Sequence, residues 1–227
     1  MKRWMMLAAL AASSMSCVEG QGDAAVRFLD ARALSGSGGA CTLGTSQLAS
    51  GLLDIAAGNS YLLGLRVETT TAVPKTIIGG SNLGGSGLND FLFEEVVLTY
   101  ESQPSLPLPA EERIPVYGVF RPGTPGESGS FAILYALGPK ALEVLATSVS
   151  GAPVTVLTTL KVAGRYSSGQ KSQTNEVTYP ITVVNSGYNR ASNSCPAPKV
   201  PVTSGWACDN VGQDNVVCRT SATTPTP

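Results

Sequence analysis

The feature that most constrains the fold is an alternation running through two neighbouring stretches of the C-terminal half. Val154, Val156, Leu160 and Val162 alternate with Thr155, Thr159, Lys161 and Arg165. A Ser167-Ser168-Gly169 turn follows, and Val177, Tyr179, Ile181 and Val183 then alternate with Glu176, Thr178 and Thr182. A period of two sends successive side chains to opposite faces, so this is a long β-hairpin with one dry and one wet face.

The same signal recurs upstream. Tyr61, Leu63, Leu65 and Val67 alternate against Gly64, Arg66 and Glu68, and Ala25 to Asp30 reads as an earlier strand. Leu92, Val96, Leu98 and Tyr100 form another, interrupted on its apolar face by Glu94, which marks a strand end or a bulge. Ile114 to Phe120 follows, then Phe131, Ile133, Tyr135 and Leu137. Ser35 to Gly39, Thr69 to Gly87 around a short strand at Thr76 to Ile78, and Arg121 to Ser128 read as loops or turns. Ser102 to Glu112, with Pro104, Pro107 and Pro109, is a connection rather than a linker between domains. Pro139 suits the first position of one short helix carrying Ala141, Leu142, Val144 and Leu145. The expected fold is mainly β. It is an antiparallel β-sandwich, immunoglobulin-like in general architecture, over residues 24–185. An irregular disulfide-stapled tail over 186–227 completes the chain, its last residues Thr223 to Pro227 fraying.

The N-terminus is of another kind. Lys2 and Arg3 precede an apolar run from Trp4 to Ala12, far short of the ~20 residues that cross a bilayer. Ser14-Met15-Ser16 then leads to Cys17. This pattern reads as a secretory signal over residues 1–16. It resembles a bacterial lipobox with Ser14 where Leu is usual, which implies a diacylated Cys17 as mature N-terminus and a tether over 17–23. Val18 after the cysteine favours the outer membrane by resemblance to enterobacterial sorting. Lipid chains contribute about 0.8 kcal/mol per buried methylene, so two or three anchor a protein stably.

The 15 basic residues, Lys2 and Arg3 among them, face 16 acidic ones. No basic run exists to attract nucleic acid. The expected contacts are the membrane, through the N-terminal lipid, and an envelope protein partner. Setting Cys17 aside leaves Cys41, Cys195, Cys208 and Cys218, an even set suited to an oxidising compartment. Cys208 and Cys218 bracket a short loop and are expected to pair, leaving Cys41 with Cys195. No CxxC and no histidine suggest zinc, and no cofactor or metal is expected.

The lack of histidine also removes Ser-His-Asp and Cys-His mechanisms. Ser168 and Lys171 match Ser-x-x-Lys spacing but fall in a hairpin turn, with no helix to present both on one face. Glu94 and Glu95 point to opposite strand faces, and Glu111-Glu112 reads as a solvated pair in a polar loop. Asp209, Asn210, Asp214 and Asn215 offer oxygen ligands without the spacing of a calcium loop. Gly79-Gly80 and Gly84 to Gly87 lack the Lys-Ser/Thr of a phosphate loop. Tyr188 and Trp206 are the candidates for ligand contact by stacking, or for covering the end of the core.

Ser50 to Ile55, Tyr61 to Val67, Phe91 to Tyr100, the hairpin from Lys161 to Val183 with Tyr179-Pro180-Ile181, and the tail from Cys208 through Asp214 to Cys218 together resemble a family of lipoproteins from myxobacteria and related delta-proteobacteria. The chain departs from it after Val183, where the family often places cysteines and this sequence has Val184-Asn185-Ser186. The resemblance implies a surface or periplasmic β-sandwich and supplies no catalytic residues. The function expected is therefore that of a lipid-anchored, non-catalytic cell-envelope protein with a structural or protein-binding role. A carbohydrate-binding or hydrolytic surface protein is the alternative.

Overall fold

The computed structural model describes residues 24–37, 40–69, 75–78, 81–84, 89–121, 131–202 and 206–220. The signal, Cys17, the 17–23 tether, most of the Arg121 to Ser128 turn and the last residues lie outside them. Two sheets face each other. Sheet A has the order β2-β1-β4-β9, formed by β1 (Val26–Ser37), β2 (Ala40–Gln47), β4 (Leu62–Thr69) and β9 (Phe131–Tyr135). Sheet B runs β3-β12-β10-β7-β8, from β3 (Gly51–Asp54), β7 (Phe91–Gln103), β8 (Glu112–Phe120), β10 (Val154–Tyr166) and β12 (Val177–Val184). The short β11 (Lys171–Gln173) continues the β10 hairpin. All these pairings are antiparallel except β3 with β12, which is parallel. β5 (Lys75–Ile78) and β6 (Ser81–Gly84) make a separate hairpin, and β13 (Lys199–Pro201) pairs with β14 (Cys218–Thr220) in the tail. The antiparallel β-sandwich is what the sequence predicts.

Its core follows from the alternation. Val154, Val156, Leu160 and Val162 of β10 are buried, and they join Tyr179, Ile181 and Val183 of β12 on one face. Phe28, Leu63, Leu65 and Leu134 of sheet A close against them in a single cluster. Complete burial of a side chain such as Leu160 or Ile181 stabilises by roughly 2 kcal/mol. In β7, Phe93 and Glu95 oppose Gly164 and Ala163, which are adjacent in β10. Glu94 is therefore the extra residue of a β-bulge. The bulge releases its carboxylate from the apolar face to meet Arg165 at 3.0 Å.

Helix α1 (Pro139–Ser148) starts on Pro139 and buries Ala141 and Leu145 at one end of the sandwich. That end also holds the close of β1, the start of β4 and the tail, because Gly36 lies against Cys208 and Leu62 against Gln213. β1 enters the fold at the opposite end.

Candidate functional site

The expected disulfide pairing is corrected by the structure. Cys41 pairs with Cys208, and Cys195 with Cys218, at Cα separations of 5.1 and 5.5 Å. The reason lies in the path of the tail. The stretch between Cys208 and Cys218 does not close on itself but runs along β3: Asp54 N donates to Gly212 O at 2.8 Å and Asp214 N to Leu52 O at 2.7 Å. Cys208 is thereby delivered to the start of β2, while Cys218 enters the β13–β14 ladder. β3 would otherwise expose an unpaired strand edge, and the tail covers it.

The densest polar cluster is built where this tail docks. Tyr61 Oη donates to Asp214 Oδ1 at 2.8 Å and lies 3.4 Å from Tyr179 Oη. Leu52 N donates to the same carboxylate oxygen at 3.3 Å. Burial, reinforced by the charge of Asp214, pushes the Tyr61 phenol far above its ordinary value, and burial also raises Tyr179. Gly51 is required here, since an added Cβ would lie 1.9 Å from Tyr61 Oη. Beside it, Gln213 is buried and its carboxamide bonds both backbone groups of Leu62. Asn210 Nδ2 donates to Gln213 Oε1 at 2.7 Å and to Ser60 O at 3.0 Å. Asp54 is fully buried and accepts from Ala56 N, Ser186 N and Val217 N at 3.3, 3.1 and 2.9 Å, joining two points of the tail to the β3 turn.

A second buried carboxylate organises α1. Gly138 has no side chain to cap the helix, and Glu112 from β8 supplies the cap. Its Oε1 accepts from Lys140 N at 2.9 Å, and its Oε2 from Ala141 N and Tyr100 Oη, both at 3.0 Å. Tyr100 Oη in turn accepts from Gly138 N at 2.9 Å. Burial raises the Tyr100 phenol, with the Gly138 N–H opposing and the Glu112 charge adding. Glu112 thus departs from the solvated role expected of it, because the fold brings a helix N-terminus to its strand. An open cleft of about 410 Å³ lies alongside, lined by Glu111 to Pro115 with Pro139 and Lys140. Its Arg113 is already engaged by Glu111 and Glu95, both at 2.7 Å.

The remaining sequence candidates scatter. Tyr188 is half-buried and donates to Asn193 Oδ1 at 2.5 Å; Trp206 is half-buried beside the Ala207–Asp209 turn. Neither ring packs on another aromatic among the described residues. Ser168 and Lys171 sit exposed around the β10–β11 turn. Cys17 lies outside the described residues. Asn210 and Asp214 spend their oxygens on Ser60, Tyr61 and Leu52. Sequence reasoning missed Asp54, Tyr61, Gln213 and Glu112 as organising groups. The one signal was a polar tail rich in Asn, Gln and Asp between two cysteines. What these groups accomplish is attachment: carboxylates and amides satisfy backbone donors and acceptors. No protein-family model, curated protein or solved structure matches the chain.

Proposed function

We propose that this chain is a lipid-anchored protein of the bacterial cell envelope, held at the outer membrane through Cys17, with a non-catalytic structural or protein-binding role. One observation carries the reading. The other four cysteines are consumed in two disulfides, so Cys17, placed at the end of a signal-like segment, is left outside the disulfide set. Two disulfides in one domain also suit an exported protein. The buried acidic groups support the non-catalytic part, since Asp54 and Glu112 are engaged in binding backbone N–H groups that hold the tail and the helix. Fractionation of cells producing the chain and its Cys17→Ser variant tests the anchor. Wild-type protein is expected with membranes and in the detergent phase, the variant in the soluble fraction; equal distribution of the two contradicts the proposal. Cross-linking in intact envelopes followed by affinity capture then identifies the partner.

A further inference from the structure

The outer face of sheet A carries exposed apolar side chains on both sides of an ion-paired cluster. A bulge in β1 sets Leu29 and Asp30 together opposite Arg66 of β4, and Phe131 of β9 flanks Arg66 on the other side. Two positions along β4 stands Gly64, with Ile133 beside it. Leu34 and Leu43 fold across this glycine, where an added Cβ would lie 2.6 and 2.5 Å from their methyl carbons. Leu34 is buried yet stands outside the cluster between the sheets, which places it on this outer face. Leu29, Phe131 and Tyr135 remain 45%, 41% and 47% exposed. Sheet B differs: its outward Leu157 is parted from Tyr117 and Val119 by Thr159 and the Lys161–Glu176 ion pair. The ion-paired Asp30, Arg32 and Arg66 separate Leu29 from the apolar surface that Phe131, Ile133 and Tyr135 form with Leu34 and Leu43. Apolar and aromatic side chains bordered by arginines are the composition that settles at a lipid–water interface.

We infer that sheet A rests through this face on the phospholipid surface to which the chain is tethered. The inference builds on the anchoring proposed above. Cys17 precedes Ala24 by seven residues, a span of at most about 24 Å when fully extended. Leu29 lies five residues further on, in the strand that the tether feeds, and Phe131 lies across Arg66 from it. A bilayer holding Cys17 is therefore within reach of this face. Docking would leave the outer face of sheet B turned away from the lipid.

The test uses the full chain, extracted from membranes in detergent and reconstituted into phosphatidylcholine–phosphatidylglycerol vesicles, with or without bromine on the acyl chains. Phe131→Trp and Leu29→Trp report sheet A, Tyr117→Trp reports sheet B, and each is compared with the parent chain. The expected result is loss of the added fluorescence in brominated vesicles for Phe131→Trp and Leu29→Trp, and no loss for Tyr117→Trp. Co-sedimentation with vesicles but equal or absent quenching at all three positions overturns the docking and leaves the anchor standing. Failure to co-sediment overturns the anchor and the docking with it. A dimer in detergent that Phe131→Ser abolishes, without quenching in vesicles, assigns the face to a second copy and overturns the lipid proposal.

Discussion

The side chain of Gln213 replaces a neighbouring strand for Leu62: its Oε1 accepts from Leu62 N at 2.9 Å and its Nε2 donates to Leu62 O at 2.8 Å. Asn175 does the same for Phe28 in β1, accepting from its N at 2.7 Å and donating to its O at 3.0 Å. A primary amide presents an N–H and a C=O side by side on one edge, matching the N–H and C=O that a single strand residue turns to one side, which suits it to both places. Gln213→Ala would leave both partly buried Leu62 backbone groups without these partners, at a cost of roughly 2 to 3 kcal/mol. Denaturant unfolding should show this loss, and a midpoint unchanged from wild type would refute the strand-substitute role.

Gly51 and Tyr61 form a close contact with a testable coupling. Gly51→Ala forces a methyl group into the Tyr61 hydroxyl and should cost about 2 to 3 kcal/mol. Removing that hydroxyl in Tyr61→Phe relieves part of the clash, so the double variant should be less destabilised than the sum of the singles. Additive losses in the unfolding free energies would count against the contact.

Digestion without reduction should yield peptides joining Cys41 to Cys208 and Cys195 to Cys218. A Cys208–Cys218 peptide would contradict the tail's path. Replacing Cys41 and Cys208 together by Ser removes the bridge across the longer loop, a loss of about 5 kcal/mol in the chain-entropy account.

Burial raises the phenols of Tyr61, Tyr100 and Tyr179 in the fold. The folded chain therefore holds these protons more tightly than the unfolded chain, whose tyrosines titrate near ~10. Their contribution to stability is complete below that pH and declines as pH rises above it. In an alkaline titration, their phenolate absorbance should emerge together with loss of the β-sheet circular dichroism. Ionisation of these three side chains in a chain that keeps its sheet signal would contradict their burial.

Strands with one dry face were legible because their alternation is a direct consequence of half-burial. β4, β7, β10 and β12 fall where that pattern places them, and Pro139 starts the helix as its fixed φ requires. β2 was not legible: Ala40–Gln47 is an edge strand with mostly exposed side chains, so no alternation is imposed on it. Ser35 and Gly36 read as loop, yet pairing with Thr42 and Cys41 extends β1 through them. Short β3 has too few residues to show a period. The polar cluster was hidden for another reason. Tyr61 and Asp214 are 153 residues apart, and nothing local to either announces the other. The disulfides failed in the same way, because nearness in sequence was a poor guide to a tail stretched along β3.

Anchoring through Cys17 is measured most directly by the mass of the N-terminal peptide of the chain isolated from membranes. The expected peptide begins at Cys17 and carries the added mass of a diacylglyceryl group. An N-terminal peptide that starts elsewhere, or a Cys17 without lipid, would contradict the anchoring.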